Sequence, residues 1–335
     1  MIRAAVIGYG YWGPNIVRNF RACGAIDLVS VCDQVPKQLE RVRSDHPGLA
    51  TTDRLRDVLD DPTIDAVAII TPVASHFALG MEALAAGKHV WIEKPVTASS
   101  DEARRLADEA DARGRVLFVD HTFIYTGAVK KLRELESEGE LGALVCYDSV
   151  RTNLGLYRPD VNVLWDLAVH DVSIMDYALR PRVEAVSATG VANVPGMPES
   201  SAFMTCYLAG GALMHVHADW FSPVKGRTTT ITGDKKMIVY DDNEPVEKVK
   251  VYDRGIAVAR ADEGRPPVIG YRQGAATAPA LEKLEALSAA ARHFAESVEA
   301  GRPPITDGAF GLRVVEVLEA AALSMNGRGR PVELT

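Results

Sequence analysis

Cysteine is scarce in this chain: four in 335 residues, at Cys23, Cys32, Cys146 and Cys206, with no C-x-x-C pair. That scatter argues against a disulfide framework or a thiolate metal site, and leaves free, mostly buried thiols as the expectation. Long apolar runs are missing too, and none approaches the roughly 20 residues that span a bilayer. No cluster of positive charge occurs, and a net charge of −8 speaks against nucleic acid as a partner. H-E-x-x-H is absent, and with it the usual spacing of a zinc site, so no metal is expected. The N-terminus enters a strand-like run at once, without the shape of a signal peptide. The expected setting is therefore cytoplasmic, with no membrane partner.

What is present is a 47% hydrophobic composition, ample for two cored domains at this length. The first informative stretch is GYGYWG, residues 8–13, in which Gly8, Gly10 and Gly13 match G-x-G-x-x-G. Such spacing binds a dinucleotide when a strand precedes it and a helix follows. The first glycine allows a tight turn, the second lets backbone approach a pyrophosphate, and the third lets helix pack on strand. Ala4 to Ile7 reads as a buried parallel strand, and Ile16, Val17 and Phe20 begin an amphipathic helix. An ordinary glycine-rich turn remains the bland alternative. The next strand-like run, Asp27 to Cys32, ends at Asp33, about 20 residues beyond Gly13, where a carboxylate accepts from the adenosine ribose hydroxyls. Asp33 would repel a 2′-phosphate, and no arginine follows at once. NAD is therefore the expected cofactor, and NADP the less expected one.

Strands and helices alternate through the first third, as in a parallel sheet covered on both faces. Helices are expected over 37–44, 53–59, 75–86 and 100–113, and strands over 65–70, 89–92 and 116–119. Later, helices are expected over 127–138, 161–179, 280–300 and 308–325. Strand patterns cover 144–151, 183–191, 201–208, 212–221, 228–231 and 237–240. The expected architecture is an α/β Rossmann domain over 1–122, then an α+β substrate-binding and oligomerisation domain over 123–335 with a large, mostly antiparallel open sheet. A sheet covered by helices on one face only leaves the other in need of a partner, which points to a homo-oligomer.

Two further motifs bear on chemistry. Glu93-Lys94-Pro95 stands at the end of a parallel strand, where doubly wound folds bind ligands, and a lysine before proline is held extended. Asp166 and His170 in WDLAVHD are four apart and share one helix face, and histidine's ordinary pKa near 6.5 suits proton transfer. A surface lysine and a buried structural pair are the competing readings.

Taken in order, GYGYWG, Asp33, TPVASH at 71–76, EKP, the D-x-x-x-H pair and the late TDG at 306–308 resemble the Gfo/Idh/MocA oxidoreductases along nearly the whole chain. The resemblance implies NAD(P)-linked oxidation or reduction of a secondary alcohol on a sugar or cyclitol by a homodimer or homotetramer paired through the C-terminal sheet. It also implies that Gly8, Gly10, Tyr11, Trp12, Gly13, Asp33, Thr71, Pro72, His76, Glu93 and Lys94 surround the cofactor. Lys94 would contact the reacting oxygen, His170 would shuttle the proton, and Asp166 would bind a substrate hydroxyl or orient the site. GYGYWGPN, HTF at 121–123 and VNVLWDLAVHD are similar to a branch with nucleotide-sugar and aminosugar 3-dehydrogenases and ketoreductases. That branch often has glycine where this chain has Asp120. Arg151, Asn153, Tyr157 and Arg158 are candidate substrate contacts, with salt bridging the other reading for the arginines.

The expected function is NAD-dependent interconversion of alcohol and ketone on a nucleotide-linked or amino-substituted hexose. Alternatives are an inositol or other cyclitol dehydrogenase, a glycosidase that uses NAD on the same fold, and, less favoured, a non-catalytic NAD-binding protein. His215 and His217 alternate along one strand, but two histidines fall short of a metal site.

Overall fold

The computed structural model describes residues 1–155, 157–259 and 268–334. The chain divides into two compact units, Met1–Tyr125 with Leu284–Glu316, and Thr126–Lys283 with Val317–Thr335. Residues 284–316, far beyond the 122/123 boundary in sequence, thus pack with the first unit. Among the described residues no helix is long and apolar enough to cross a membrane.

In the first unit β1 (Ile2–Ile7), α1 (Gly13–Ala22), β2 (Ile26–Cys32), α2 (Pro36–Asp45), β3 (Ala50–Thr52) and α3 (Leu55–Leu59) form one half. The other half contains β4 (Ala66–Ile69), α4 (His76–Ala85), β5 (His89–Glu93), α5 (Ser100–Ala112) and β6 (Leu117–Asp120). All strand pairs are parallel, in the order β3-β2-β1-β4-β5-β6. That is the Rossmann order, with its switch point between β1 and β4. Both central strands are buried on both faces, which is why Ala4 to Ile7 and Ala66 to Ile69 read as unbroken apolar runs.

Aromatic packing closes this unit. Trp91 of β5 stacks on Phe118 of β6 at 4.2 Å, and Phe20 of α1 meets Trp91 edge-on at 5.2 Å. Phe294, from the returning segment, meets Trp91 edge-on at 5.6 Å.

The second unit begins with α6 (Gly127–Ser137) and β7 (Leu144–Leu154), then a π-helical turn over Leu164–Ala168 that leads into α7 (Val169–Leu179). Five strands follow: β8 (Val183–Val191), β9 (Ser201–Leu208), β10 (Leu213–Asp219), β11 (Phe221–Gly233) and β12 (Met237–Asp241). Then come β13 (Val249–Ala259), β14 (Val268–Thr277), α8 (Ala286–Ala300), α9 (Gly308–Asn326) and β15 (Val332–Glu333), α8 belonging to the first unit. The nine-stranded sheet runs β14-β13-β12-β11-β7-β10-β9-β8-β15, antiparallel except for β10 beside β7.

Several expected elements shift. The helix expected from 161 starts at Leu164, because Asn162 Oδ1 accepts from the Leu164 and Trp165 N–H groups and sets the entry. The helix expected from 280 starts at Ala286. Glu285 before it is extended and held by Arg18 at 2.6 Å and Asn19 at 3.3 Å. The strands β3, β13, β14 and β15 were not expected. Of these, β14 is exposed over residues 269–277, so it carries no alternation of buried and exposed positions to betray it.

A buried polar network joins α7 to the sheet. Asp171 is inaccessible, and its carboxylate takes Arg151 Nε at 2.9 Å, Arg151 Nη2 at 3.0 Å and Ser149 Oγ at 2.7 Å. Tyr147 donates to the Asp171 carbonyl at 3.3 Å. Two charges out of water need this full set of bonds to be tolerated. Asp171→Asn leaves Arg151 charged and underpaired, so urea unfolding is expected to show a loss of about 3–5 kcal/mol.

Candidate functional site

In the first unit the candidate site lies at the carboxyl ends of β1, β2, β4, β5 and β6. Gly8 has φ +98°, and a Cβ there would sit 2.5 Å from the Ile70 carbonyl oxygen. A Cβ on Gly13 would come within 3.0 Å of the Gly8 carbonyl. A Cβ on Gly10 would meet no atom of the described residues within 4 Å beyond its chain neighbours, so its open side is the space that a side chain would fill. Turn, open approach and close packing are the three conditions that a pyrophosphate loop needs. Helix α1 opens at Gly13 with Pro14 in its first turn and no side-chain cap, so its N-terminal dipole faces that loop. These residues fit a dinucleotide. Tyr11 is 79% exposed and Trp12 36%.

Asp33 follows β2. Its Oδ2 accepts from the Tyr9 N–H at 2.6 Å and its Oδ1 from the Val35 N–H at 2.8 Å. Backbone from the glycine loop thus fixes the carboxylate, and an ionised acceptor makes such bonds strong. Tyr9 is buried, packed edge-on to His46, with the Arg41 guanidinium 5.7 Å from its ring centre.

Thr71 and Pro72 follow β4 and lead through a 3₁₀ turn (Val73–Ser75) into α4. Ser75 Oγ donates to Thr71 Oγ1 at 2.7 Å. His76 departs from expectation. Its ring is 1% exposed, with Nε2 2.8 Å from the Thr71 carbonyl and Nδ1 3.0 Å from the Pro95 carbonyl. Burial lowers its pKa, against the opposing pull of those carbonyls. His76 is therefore buried between the segment after β4 and the segment after β5, and as a neutral ring it donates its single N–H to one of the two carbonyls.

Glu93 ends β5, with Lys94 and Pro95 next. Asp120 ends β6 as the register partner of Glu93. His121 follows, buried, edge-on to Phe310, its pKa pushed down to about 3 by burial and by the Lys94 charge. The neighbourhood of Asp120 escaped sequence reasoning, because strand register alone sets it beside Glu93.

The second unit carries its own cluster. Asp166 lies in the π-helical turn, one turn before His170 in α7. π turns recur at functional sites, where the widened helix re-aims side chains. Asp166 Oδ2 accepts from Trp220 Nε1 at 3.1 Å, and Arg158 Nε lies 3.7 Å from Oδ1. The half-buried His170 accepts at its carbonyl from Ser173 Oγ at 2.8 Å. Trp220 was not anticipated. A buried indole N–H needs an acceptor, and that need is the only sequence signal it offers.

Tyr157 rests against Trp220 at 5.1 Å and donates its hydroxyl to the Pro198 carbonyl at 2.8 Å. Asn153 Oδ1 is buried with no donor among the described residues. Arg151 requires a correction: its side chain is 5% exposed and bonded at Nε and Nη2 to Asp171, so it braces α7 and cannot reach a substrate. Arg158 is half-exposed. On the outer face of the sheet His217 stacks on Phe203 at 4.3 Å, and His215 bonds Thr205 Oγ1 at 3.0 Å.

Comparison with known proteins accords with both halves. Residues 2–121 match a family model described as an oxidoreductase family with an NAD-binding Rossmann fold, and residues 129–239 match the GFO/IDH/MocA C-terminal domain. The chain belongs to the Gfo/Idh/MocA oxidoreductase family. It is an oxidoreductase, and its first unit is an NAD-binding Rossmann domain. The chain is 28% identical over 330 residues to the UDP-N-acetylglucosamine 3-dehydrogenase of Acidithiobacillus ferrooxidans, covering 97% of this chain and 96% of that one. The solved structure of that enzyme superposes with a TM-score of 0.82 at 25% identity, covering 97% of this chain and 98% of that one. GenD2 from gentamicin A biosynthesis, solved with NAD, superposes with a TM-score of 0.83 at 25% identity, over 100% of this chain and 96% of that one. The scyllo-inositol 2-dehydrogenase (NADP+) IolW of Bacillus subtilis is 30% identical over 164 residues, 49% of this chain and 44% of that enzyme. That match spans less than half of IolW.

The glycines of this Gfo/Idh/MocA chain separate stability from binding. Gly8→Ala must displace backbone and adopt an unfavourable φ, so its melting temperature should fall. Gly10→Ala meets no atom of the described residues beyond its chain neighbours; its melting temperature should stay near that of the wild type while NAD affinity, read by calorimetry, drops about tenfold or more.

Proposed function

We propose that this protein is an NAD-linked dehydrogenase or reductase that interconverts a secondary alcohol and its ketone on a sugar, one that is nucleotide-linked or amino-substituted. The observation that carries this reading is the second-unit cluster, in which half-buried His170 follows Asp166 by one turn and Asp166 is oriented by Trp220 and Arg158. The near full-length similarity to a UDP-N-acetylglucosamine 3-dehydrogenase supports the substrate class. Similarity to IolW supports a cyclitol as the second reading.

Bound nicotinamide supplies the hydride acceptor in one direction and the donor in the other. In oxidation the substrate carbon loses hydride while its hydroxyl loses a proton. His170 takes that proton and returns it in reduction. Lys94 stabilises the negative charge that develops on the reacting oxygen. Asp166 accepts from a neighbouring hydroxyl, and a ring held by several such contacts reacts from one orientation. Asn153, Tyr157 and Arg158 contribute to the sugar site, Arg158 meeting an anionic handle. Asp33 disfavours a 2′-phosphate, so NAD is preferred to NADP.

Incubation with NAD or NADP and a panel of nucleotide sugars, aminosugars, free sugars and inositols, read by the absorbance of reduced cofactor, tests this reading. Turnover is expected with NAD on a nucleotide sugar or aminosugar. His170→Ala should keep its NAD affinity while turnover falls by about 10²–10⁴. Activity confined to simple short-chain alcohols, or normal turnover in that variant, refutes it.

We further propose that the outer face of the second-unit sheet pairs copies of the chain as a homodimer or homotetramer. Phe203 is 57% and Tyr207 40% exposed there, beside the stacked His217. Light scattering should report a multiple of the chain mass, and Phe203→Glu should lower it. A wild-type monomer would exclude the pairing.

A further inference from the structure

The carboxyl ends of β5 and β6 bring two acids together. Glu93 and Asp120 are register partners, and their side chains lie within hydrogen-bonding reach of each other. Glu93 Oε1 and Asp120 Oδ2 are both shielded from solvent, and neither has a donor among the described residues. Thr122 Oγ1 donates to the other oxygen of Asp120, Oδ1, at 2.7 Å, and the Trp12 indole bears on the same carboxyl group. The charged and titratable groups that bear on the pair are Lys94, next in the chain to Glu93, and His121, next to Asp120. Burial keeps His121 neutral, so Lys94 supplies one positive charge against two acids.

Two ionised carboxylates in contact, with one cation and little water, repel each other strongly. A proton placed between them removes the repulsion and gives an acceptor its missing donor. We propose that Glu93 and Asp120 hold a single proton between them at neutral pH, and that this one-proton pair positions Trp12 of the glycine loop and Lys94. The inference deepens the dehydrogenase reading and rests on it for the role of Lys94. The direction of titration agrees: burial first, then the charge of Asp120, raises Glu93, and burial raises Asp120. The two protons belong to the pair rather than to either acid.

Asp120 is on this view a positioning residue. Its carboxyl links the Trp12 indole, at the entry to α1, with Glu93 at the end of β5. Loss of the shared proton at alkaline pH leaves two anions that separate, and Trp12 moves with the carboxyl group it lies against. Raised folded-state pKa values also fix the sign for stability. The contribution is fully present below the ordinary carboxylate range and is lost as pH rises through the raised values. An amide in place of either acid supplies an N–H donor that does not titrate.

The test compares the wild type with Asp120→Asn and Glu93→Gln, without substrate. The wild type should show the infrared carbonyl stretch of a protonated carboxylic acid at neutral pH, and both variants should lack it. NAD affinity of the wild type, measured by calorimetry from neutral to alkaline pH, should fall several-fold, while either amide variant gives a flat profile. Absence of the acid band in the wild type overturns the proposal, as does a parallel alkaline fall in wild type and variants. Glu93→Gln decides alone if Asp120→Asn does not fold. None of these readouts requires turnover, so inactivity on every sugar would sink the dehydrogenase reading and leave the proton pair standing.

Discussion

The nucleotide end of the first unit depends on one close approach, that of the Gly8 backbone to the Ile70 carbonyl. A side chain at Gly8 would reach within 2.5 Å of that oxygen, so β1 and β4 can end side by side only with glycine there. Because they do, the loop to α1 turns at the switch point of the sheet and presents Gly10 to open space. Asp33 is then within reach of the Tyr9 N–H, which holds its carboxylate at the loop. One steric constraint thus orders the loop, the helix start and the acid at the end of β2.

The second unit relies on a different principle, a charged pair taken fully out of water. Asp171 and Arg151 would be costly singly, and together with Ser149 they lock α7 against β7. Asp171 directly follows His170, so the orientation of the proposed acid/base is inherited from a contact buried beneath it. On the same segment Trp220 fixes Asp166 by its indole N–H. Such supporting bonds hold reacting groups to a narrow geometry that the bare D-x-x-x-H spacing would leave loose.

Two histidines show how burial redirects chemistry. His76, expected beside the nicotinamide, is buried between the Thr71 and Pro95 carbonyls and so packs against the segment that carries Lys94. His121 is held neutral near Lys94, which leaves the lysine as the cation of that neighbourhood. A buried imidazole beside a fixed positive charge loses its proton for the same reason that two buried acids retain one.

By itself the sequence determined whatever is read over short stretches of chain. The glycine spacing of 8–13, the alternation of apolar strands and amphipathic helices to Asp120, the acid at the end of β2 and the Asp166–His170 interval are all local patterns, set by sterics and by helix and strand periods. Tertiary structure decided what depends on register and on distant return. It brought Asp120 beside Glu93, turned Arg151 inward to Asp171, set Trp220 on Asp166 and carried Phe294 back against Trp91. The strand β14, exposed over residues 269–277, belongs to the same class, because no burial marks it in the sequence. The reason is physical: a period fixes which residues share a face, but only packing of remote segments fixes which faces meet and which charges must share a proton.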